Sequence, residues 1–136
     1  EIYVADTLGE LGLFYRIVPV AFVGGSLVKH GGQNPIEAIN LGAAVVHGPF
    51  VHNFADVYEA LDAVPGAPKP VTDATSLAEG AGVLLSDSEL RNRAVEAAKN
   101  ALKPFTGALN ATWTALAPYL KGEARPRRAA SATGGS

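Results

Sequence analysis

The 136 residues suffice for one domain with a real core and are short for two. At 48% hydrophobic with a formal net charge of -2, the composition is that of an ordinary globular protein and lacks the basic excess of a nucleic-acid binder. Without cysteine, disulfide frameworks and thiolate metal sites are excluded, and no apolar run approaches the roughly 20 residues that span a bilayer.

The chain starts at Glu1, contains no methionine and enters at once on an apolar run, so a fragment of a longer protein is expected. Its first residues also lack the basic flank of a secretory signal. Ile2 to Ala5 reads as a strand, Asp6 to Gly9 as a turn, and Glu10 to Ile17 as an apolar helix ended by Pro19. Val20 to Val23 and Ala43 to Val46 are continuous apolar runs rather than alternating ones, the pattern of parallel strands buried on both faces. Between them Pro35 to Leu41 reads as a helix ending at Gly42, and Asn53 to Ala63 as the next one. The resulting repeat of strand and helix predicts an α/β fold, a parallel sheet with helices on both faces.

Beyond Val64 the signals are helical. Pro65 to Pro70 is a loop, with Pro70-Val71 a candidate short strand, and Thr75 to Leu84 is a helix. Ser86 and Glu89 have the spacing of a capping box, predicting a helix that runs to about Leu102 and is stopped by Pro104. A last helix over 106–120 would place Leu109, Trp113, Leu116 and Leu120 on one face. From Gly122 the composition turns to Arg, Ala, Ser and Gly, so 122–136 reads as a disordered tail. Arg125, Arg127 and Arg128 there fit a solvated chain end better than a lipid contact.

The chemistry concentrates after the second strand. Gly24-Gly25-Ser26 follows its carboxyl end, where open α/β sheets bind ligands, and a second pair, Gly31-Gly32, follows close by. Neither pair forms a dinucleotide fingerprint or a nucleoside-triphosphate loop, and tight-turn glycines are the bland alternative. Asn34, Pro35 and Glu37 suit N-cap, N1 and N3 of the following helix, so capping alone accounts for them unless they also meet a ligand. Amides from Gln33 to Ile36 would then face an anion. Lys29 and His30 are candidate counter-charges for it. His47, Gly48, Pro49 and His52 follow the third run, with Asn53 a candidate N-cap. Three histidines at these irregular intervals do not make a zinc motif, so neither a metal nor another cofactor is expected. Asp6, Thr7, Gly9 and Glu10 also follow a strand and either border a ligand or cap a helix.

Residues 5–16 (Ala-Asp-Thr-Leu-Gly-Glu-Leu-Gly-Leu-Phe-Tyr-Arg), 24–37 (Gly-Gly-Ser-Leu-Val-x-His-Gly-Gly-Gln-Asn-x-x-Glu) and 47–54 (His-Gly-Pro-x-Val-x-Asn-Phe) together resemble the 3-deoxy-D-manno-octulosonic acid (Kdo) transferases. The resemblance covers about the first 63 residues closely and the rest only in helix pattern. It departs at Ala38, where the family usually has proline after the motif glutamate.

It implies a Rossmann-like, partial C-terminal domain of a GT-B glycosyltransferase over 1–121. The enzyme would transfer Kdo from CMP-Kdo to lipid IVA in lipopolysaccharide biosynthesis, at the cytoplasmic face of the bacterial inner membrane. The catalytic base and the acceptor groove would lie in the other domain, so the fragment alone would be inactive and touch membrane only peripherally. Carried over by position, Gly24, Gly25 and Ser26 become the donor-side loop, Asn34 and Glu37 the polar contacts on the nucleotide sugar, and Asp6, Thr7, Gly9 and Glu10 the border of the nucleotide. A non-catalytic nucleotide- or anion-binding α/β module and a UDP-sugar GT-B transferase are the alternatives.

Overall fold

The computed structural model describes residues 2–6 and 9–120, divided into two compact units, Glu1–Lys103 and Pro104–Ser136. The first is α/β. Its helix α1, Leu11–Ile17, ends where Pro19 forces Val18 into an extended conformation. Strand β1, Val20–Phe22, leads through a long loop to helix α2, Ile36–Asn40, and then to strand β2, Ala44–Val46. The two strands pair in parallel, Val20 opposite Ala44 and Phe22 opposite Val46. A 3-10 turn at His52–Phe54 precedes helix α3, Ala55–Asp62, and helices α4, Ala74–Ser86, and α5, Ser88–Leu120, complete the order.

The sheet is smaller than the sequence predicts. Ile2 to Ala5 forms no strand: Ile2 is 95% exposed, and no neighbouring backbone among the described residues pairs with it. A strand exists through its partner, and apolar character alone does not supply one. Pro70-Val71 contributes a single sheet-like bond, Val71 N–H to the His47 carbonyl at 2.9 Å. Pro70 has no N–H with which to extend the ladder. Of the two strands, β2 is the buried one, while Phe22 of β1 is exposed.

The core forms where β2 meets the later helices. Ala44 and Val46 pack with Val71, Leu84 and Val95, and Val20, Leu27 and Leu77 close the cluster. On the α2 and α3 side, Ala38, Ile39, Val57, Tyr58 and Leu61 are buried. This burial of aliphatic area stabilises the βα layer at roughly 25 cal/mol per Å2.

The junction of α4 with α5 and the course of α5 past Pro104 differ from expectation. Helix α4 runs through Ser86, whose hydroxyl donates back to the Val83 carbonyl at 3.1 Å, so Ser86 cannot cap the next helix. Asp87, the one extended residue between the helices, does so by accepting the Leu90 N–H at 2.8 Å. Pro104 does not stop α5, which continues to Leu120. A proline removes one backbone bond, and the preceding Ala97, Ala98, Lys99, Ala101, Leu102 and Lys103 are strong helix formers that carry the helix up to it. The expected side-chain face from Leu109 to Leu120 and the expected tail at 122–136 lie outside the described side chains and residues. Among the described residues no helix is long and apolar enough to cross a membrane.

Candidate functional site

Both strands deliver their carboxyl ends to the same edge of the sheet, and each continues into a glycine-containing loop. The first runs from Val23 to Pro35, the second from His47 to Val51. Because the strands are adjacent and parallel, the loops are neighbours, and backbone and side-chain bonds stitch them together.

Ser26 is the main stitch. It is 0% exposed, its Oγ donates to the Val23 carbonyl at 2.6 Å, and the same oxygen accepts the Gly48 N–H at 2.8 Å. Its own carbonyl accepts the Phe50 N–H at 2.9 Å. Gly48 has no room for a side chain: a Cβ there would collide with the Ser26 carbonyl. The hydroxyl at position 26 is thus spent inside the protein, holding one loop on the other.

Asn53 makes the second set. Its N–H donates to the Gly31 carbonyl at 3.0 Å, and its Nδ2 reaches the His30 carbonyl at 3.2 Å and the Gly32 carbonyl at 3.4 Å. Gly31 has φ +104°, and a Cβ on it would meet the Asn53 amide at 2.5 Å. Glycine is required there twice over, by backbone and by space. The expected N-cap role of Asn53 is therefore corrected, since its side chain points back to the first loop instead of to the amides of α3.

A third tie comes from α3. Tyr58, fully buried, donates its hydroxyl to the Gln33 carbonyl at 2.8 Å. Burial pushes its phenol far above the ordinary tyrosine range, with Tyr15 and Asp62 adding to the rise. Tyr58 also packs on the His47 ring, centroids 4.5 Å apart. His47 is 5% exposed, with Nδ1 2.8 Å from the Gly48 carbonyl and Nε2 3.0 Å from Asp62 Oδ1. An open concavity of about 480 Å3 lies beside this loop, bordered by Pro49, Phe50, His52, Tyr58, Glu59 and Asp62.

The other candidate residues fall into place around these ties. Gly24 is exposed, and the His30 ring lies over Gly25, its Cδ2 2.8 Å from where a Cβ would stand. Lys29 is exposed in the same turn. Asn34 Oδ1 accepts the Ile36 N–H at 2.9 Å, a helix-start bond of the expected kind, although α2 begins one residue later than predicted. The Ser26 side chain is sealed, whereas Asn34 is exposed. One expectation is corrected: the amides from Gln33 to Ile36 are not all presented to an anion, since Pro35 has none and that of Ile36 is taken.

Glu37 does not close a capping box. It is exposed and faces α1, one carboxylate oxygen lying 3.1 Å from the position a Cβ on Gly12 would take. Burial, then the Glu37 charge, raises the Tyr15 phenol above its usual range. Asp6 is exposed, Gly9 makes a bend, and the Glu10 carbonyl accepts the first amides of α1 at Leu13 and Phe14. Thr7 lies outside the described residues.

The ties from Ser26, Gly48, Asn53 and Tyr58 were missed by sequence reasoning. The only available signal was the recurrence of Gly and Asn in two separate loops, which shows no pairing by itself.

No family model matches the chain. Over 121 residues it is 37% identical to the 3-deoxy-D-manno-octulosonic acid transferase of Haemophilus influenzae, a match covering 89% of this chain and 28% of that protein. The protein of the same name from Bordetella pertussis is 38% identical over 121 residues, 88% of this chain and 28% of its own length. The chain thus spans a little over a quarter of the length of these relatives. Among solved structures it is similar to the C-terminal CMP-Kdo binding domain of WaaA from Acinetobacter baumannii, with a TM-score of 0.65 and 31% identity over 73% of this chain and 51% of that one.

Proposed function

We propose that this chain, a homologue of the 3-deoxy-D-manno-octulosonic acid (Kdo) transferases and a member of their family, is the donor-binding part of a GT-B glycosyltransferase that moves Kdo from CMP-Kdo to lipid IVA. The supporting observation is the pair of interlocked loops at the carboxyl ends of β1 and β2, in a fold similar to a domain named for CMP-Kdo binding. Rigid loops at that edge are where open α/β sheets hold nucleotides.

On this reading Gly24 and Gly25 bring backbone close to the donor, and Ser26 shapes their loop from beneath. Asn34, whose Nδ2 is left over from its helix-start bond, and Glu37 contact the nucleotide sugar, while Asp6, Thr7, Gly9 and Glu10 border the nucleotide. Transfer of the sugar leaves new negative charge on the CMP phosphate. Fixed dipoles and a nearby cation stabilise that charge most as it develops, and Lys29 and His30 are the cations closest in sequence. The catalytic base and the lipid acceptor groove belong to the rest of the enzyme, which would work at the cytoplasmic face of the bacterial inner membrane and touch the bilayer peripherally.

Calorimetric titration of the protein with CMP, UMP and UDP tests the donor assignment. CMP is expected to bind clearly tighter than the other two. Equal affinity for all three would replace the reading with a general anion-binding module, and a preference for UDP with a UDP-sugar transferase.

A further inference from the structure

His47 is a buried, titratable side chain that the donor reading leaves unused, and its surroundings are unusual. Both ring nitrogens face oxygen acceptors, the Gly48 carbonyl at 2.8 Å and the Asp62 carboxylate at 3.0 Å. A neutral imidazole has one N–H and donates once, so the two bonds exist together only on a doubly protonated ring. Asp62 is the other titratable group lining the largely apolar hollow that His47 borders, with Ile39, Leu61 and Val95 among its walls. Tyr58 packs on the ring, and Glu59 and His52 share the open concavity with Asp62.

The geometry points to His47 as a positioning residue, an imidazolium pinned between Asp62 and the Gly48 carbonyl that fixes the carbonyl side of Gly48, the residue whose N–H holds Ser26, and through it the donor loop. Each link is a single hydrogen bond: Asp62 to His47, His47 to Gly48, Gly48 to Ser26, Ser26 to Val23 at the end of β1. Gly48 has no side chain to fix its two backbone torsions by packing, so the orientation of its N–H relative to its carbonyl depends on the bonds at both. A charge-assisted bond from a buried ring holds it better than a neutral one. The consequence for CMP rests on the donor reading above, whereas the bonding chain stands without it.

The test compares Asp62→Ala with Asp62→Asn in the intact protein. Asp62 is 38% exposed, so neither change empties the core, and the asparagine oxygen still accepts from Nε2. Nitrogen NMR of the His47 ring is expected to show one proton on the nitrogen facing Asp62 and one on the nitrogen facing the Gly48 carbonyl. In Asp62→Ala the Gly48 amide should exchange with solvent about tenfold faster and CMP bind about tenfold more weakly, the scale of losing a hydrogen bond to a charged group. Asp62→Asn should recover most of both. An unprotonated nitrogen facing Asp62, or unchanged Gly48 exchange in Asp62→Ala, overturns the assignment. If the ring and exchange results are as expected but the unmodified protein binds no CMP, the pin stands and the donor reading falls.

Discussion

At the carboxyl ends of β1 and β2, the side-chain bonds that fix the loops cross long stretches of chain: Ser26 to Gly48 spans 22 residues, Asn53 to His30 spans 23, and Tyr58 to Gln33 spans 25. At the entries to α4 and α5 the bonds that do the same work span three. Asp73 accepts the Ser76 N–H at 2.7 Å, Ser76 Oγ accepts the Asp73 N–H at 3.1 Å, and Asp87 accepts the Leu90 N–H at 2.8 Å. The first region is buried at the bond between Ser26 and Gly48, part-buried at that between Tyr58 and Gln33, and depends on the sheet having formed. The second is exposed and forms with its own helix turn. Long-range ties make a loop rigid enough to hold a ligand but leave it vulnerable to any change that separates the strands, whereas local caps fail one at a time.

The contrast can be broken most severely at Gly48. A methyl group there has no space against the Ser26 carbonyl, so Gly48→Ala should lower stability by about 3 kcal/mol in denaturant unfolding and remove CMP binding. A variant with unaltered unfolding would show that the loops are not locked together. Ser26→Ala comes next: it leaves the buried Gly48 N–H without its acceptor, and about 2 kcal/mol should be lost in the same measurement.

Glu37→Gln separates binding from stability within the site. Its carboxylate is exposed, so melting should hardly move while the dissociation constant for CMP-Kdo rises about tenfold. A change in melting alone would reduce Glu37 to a structural residue between α1 and α2.

The smallest effect belongs to the local region. Asp73→Asn should lower melting by a few degrees and leave CMP affinity untouched. Hydrogen bonds from Ser76, backbone first, hold the Asp73 carboxyl below its ordinary range. A group depressed in the folded state contributes stability above its unfolded value and loses it as pH falls through the folded one. The gap in melting between the native chain and Asp73→Asn should therefore be present at neutral pH and close on acidification below the ordinary aspartate range. A gap independent of pH would assign the cap to the hydroxyl of Ser76 alone.

Legibility follows the same division. The apolar runs 20–23 and 43–46 announced parallel strands because their composition fits no solvated face, and the helices between them followed from periodicity and from Gly42 and Pro19. Local capping was legible in kind and misplaced in position, since Ser86 and Asp87 both suit a cap and only the length of α4 decides between them. Ile2 to Ala5 was misread because an apolar run carries the propensity of a strand without its partner. The three motifs carried the resemblance, and they gave no sign that the Ser26 hydroxyl bonds the Val23 carbonyl and the Gly48 N–H.

From the chain of residues alone came the α/β class, the two parallel strands, the glycine loops at their ends and the kinship of the whole, because these depend on composition, short spacings and shared motifs. Tertiary structure decided which side chains face inward and which glycines are indispensable. Such pairings join residues more than twenty positions apart, and nothing in a linear order records which distant carbonyl a buried hydroxyl, amide or imidazole will meet.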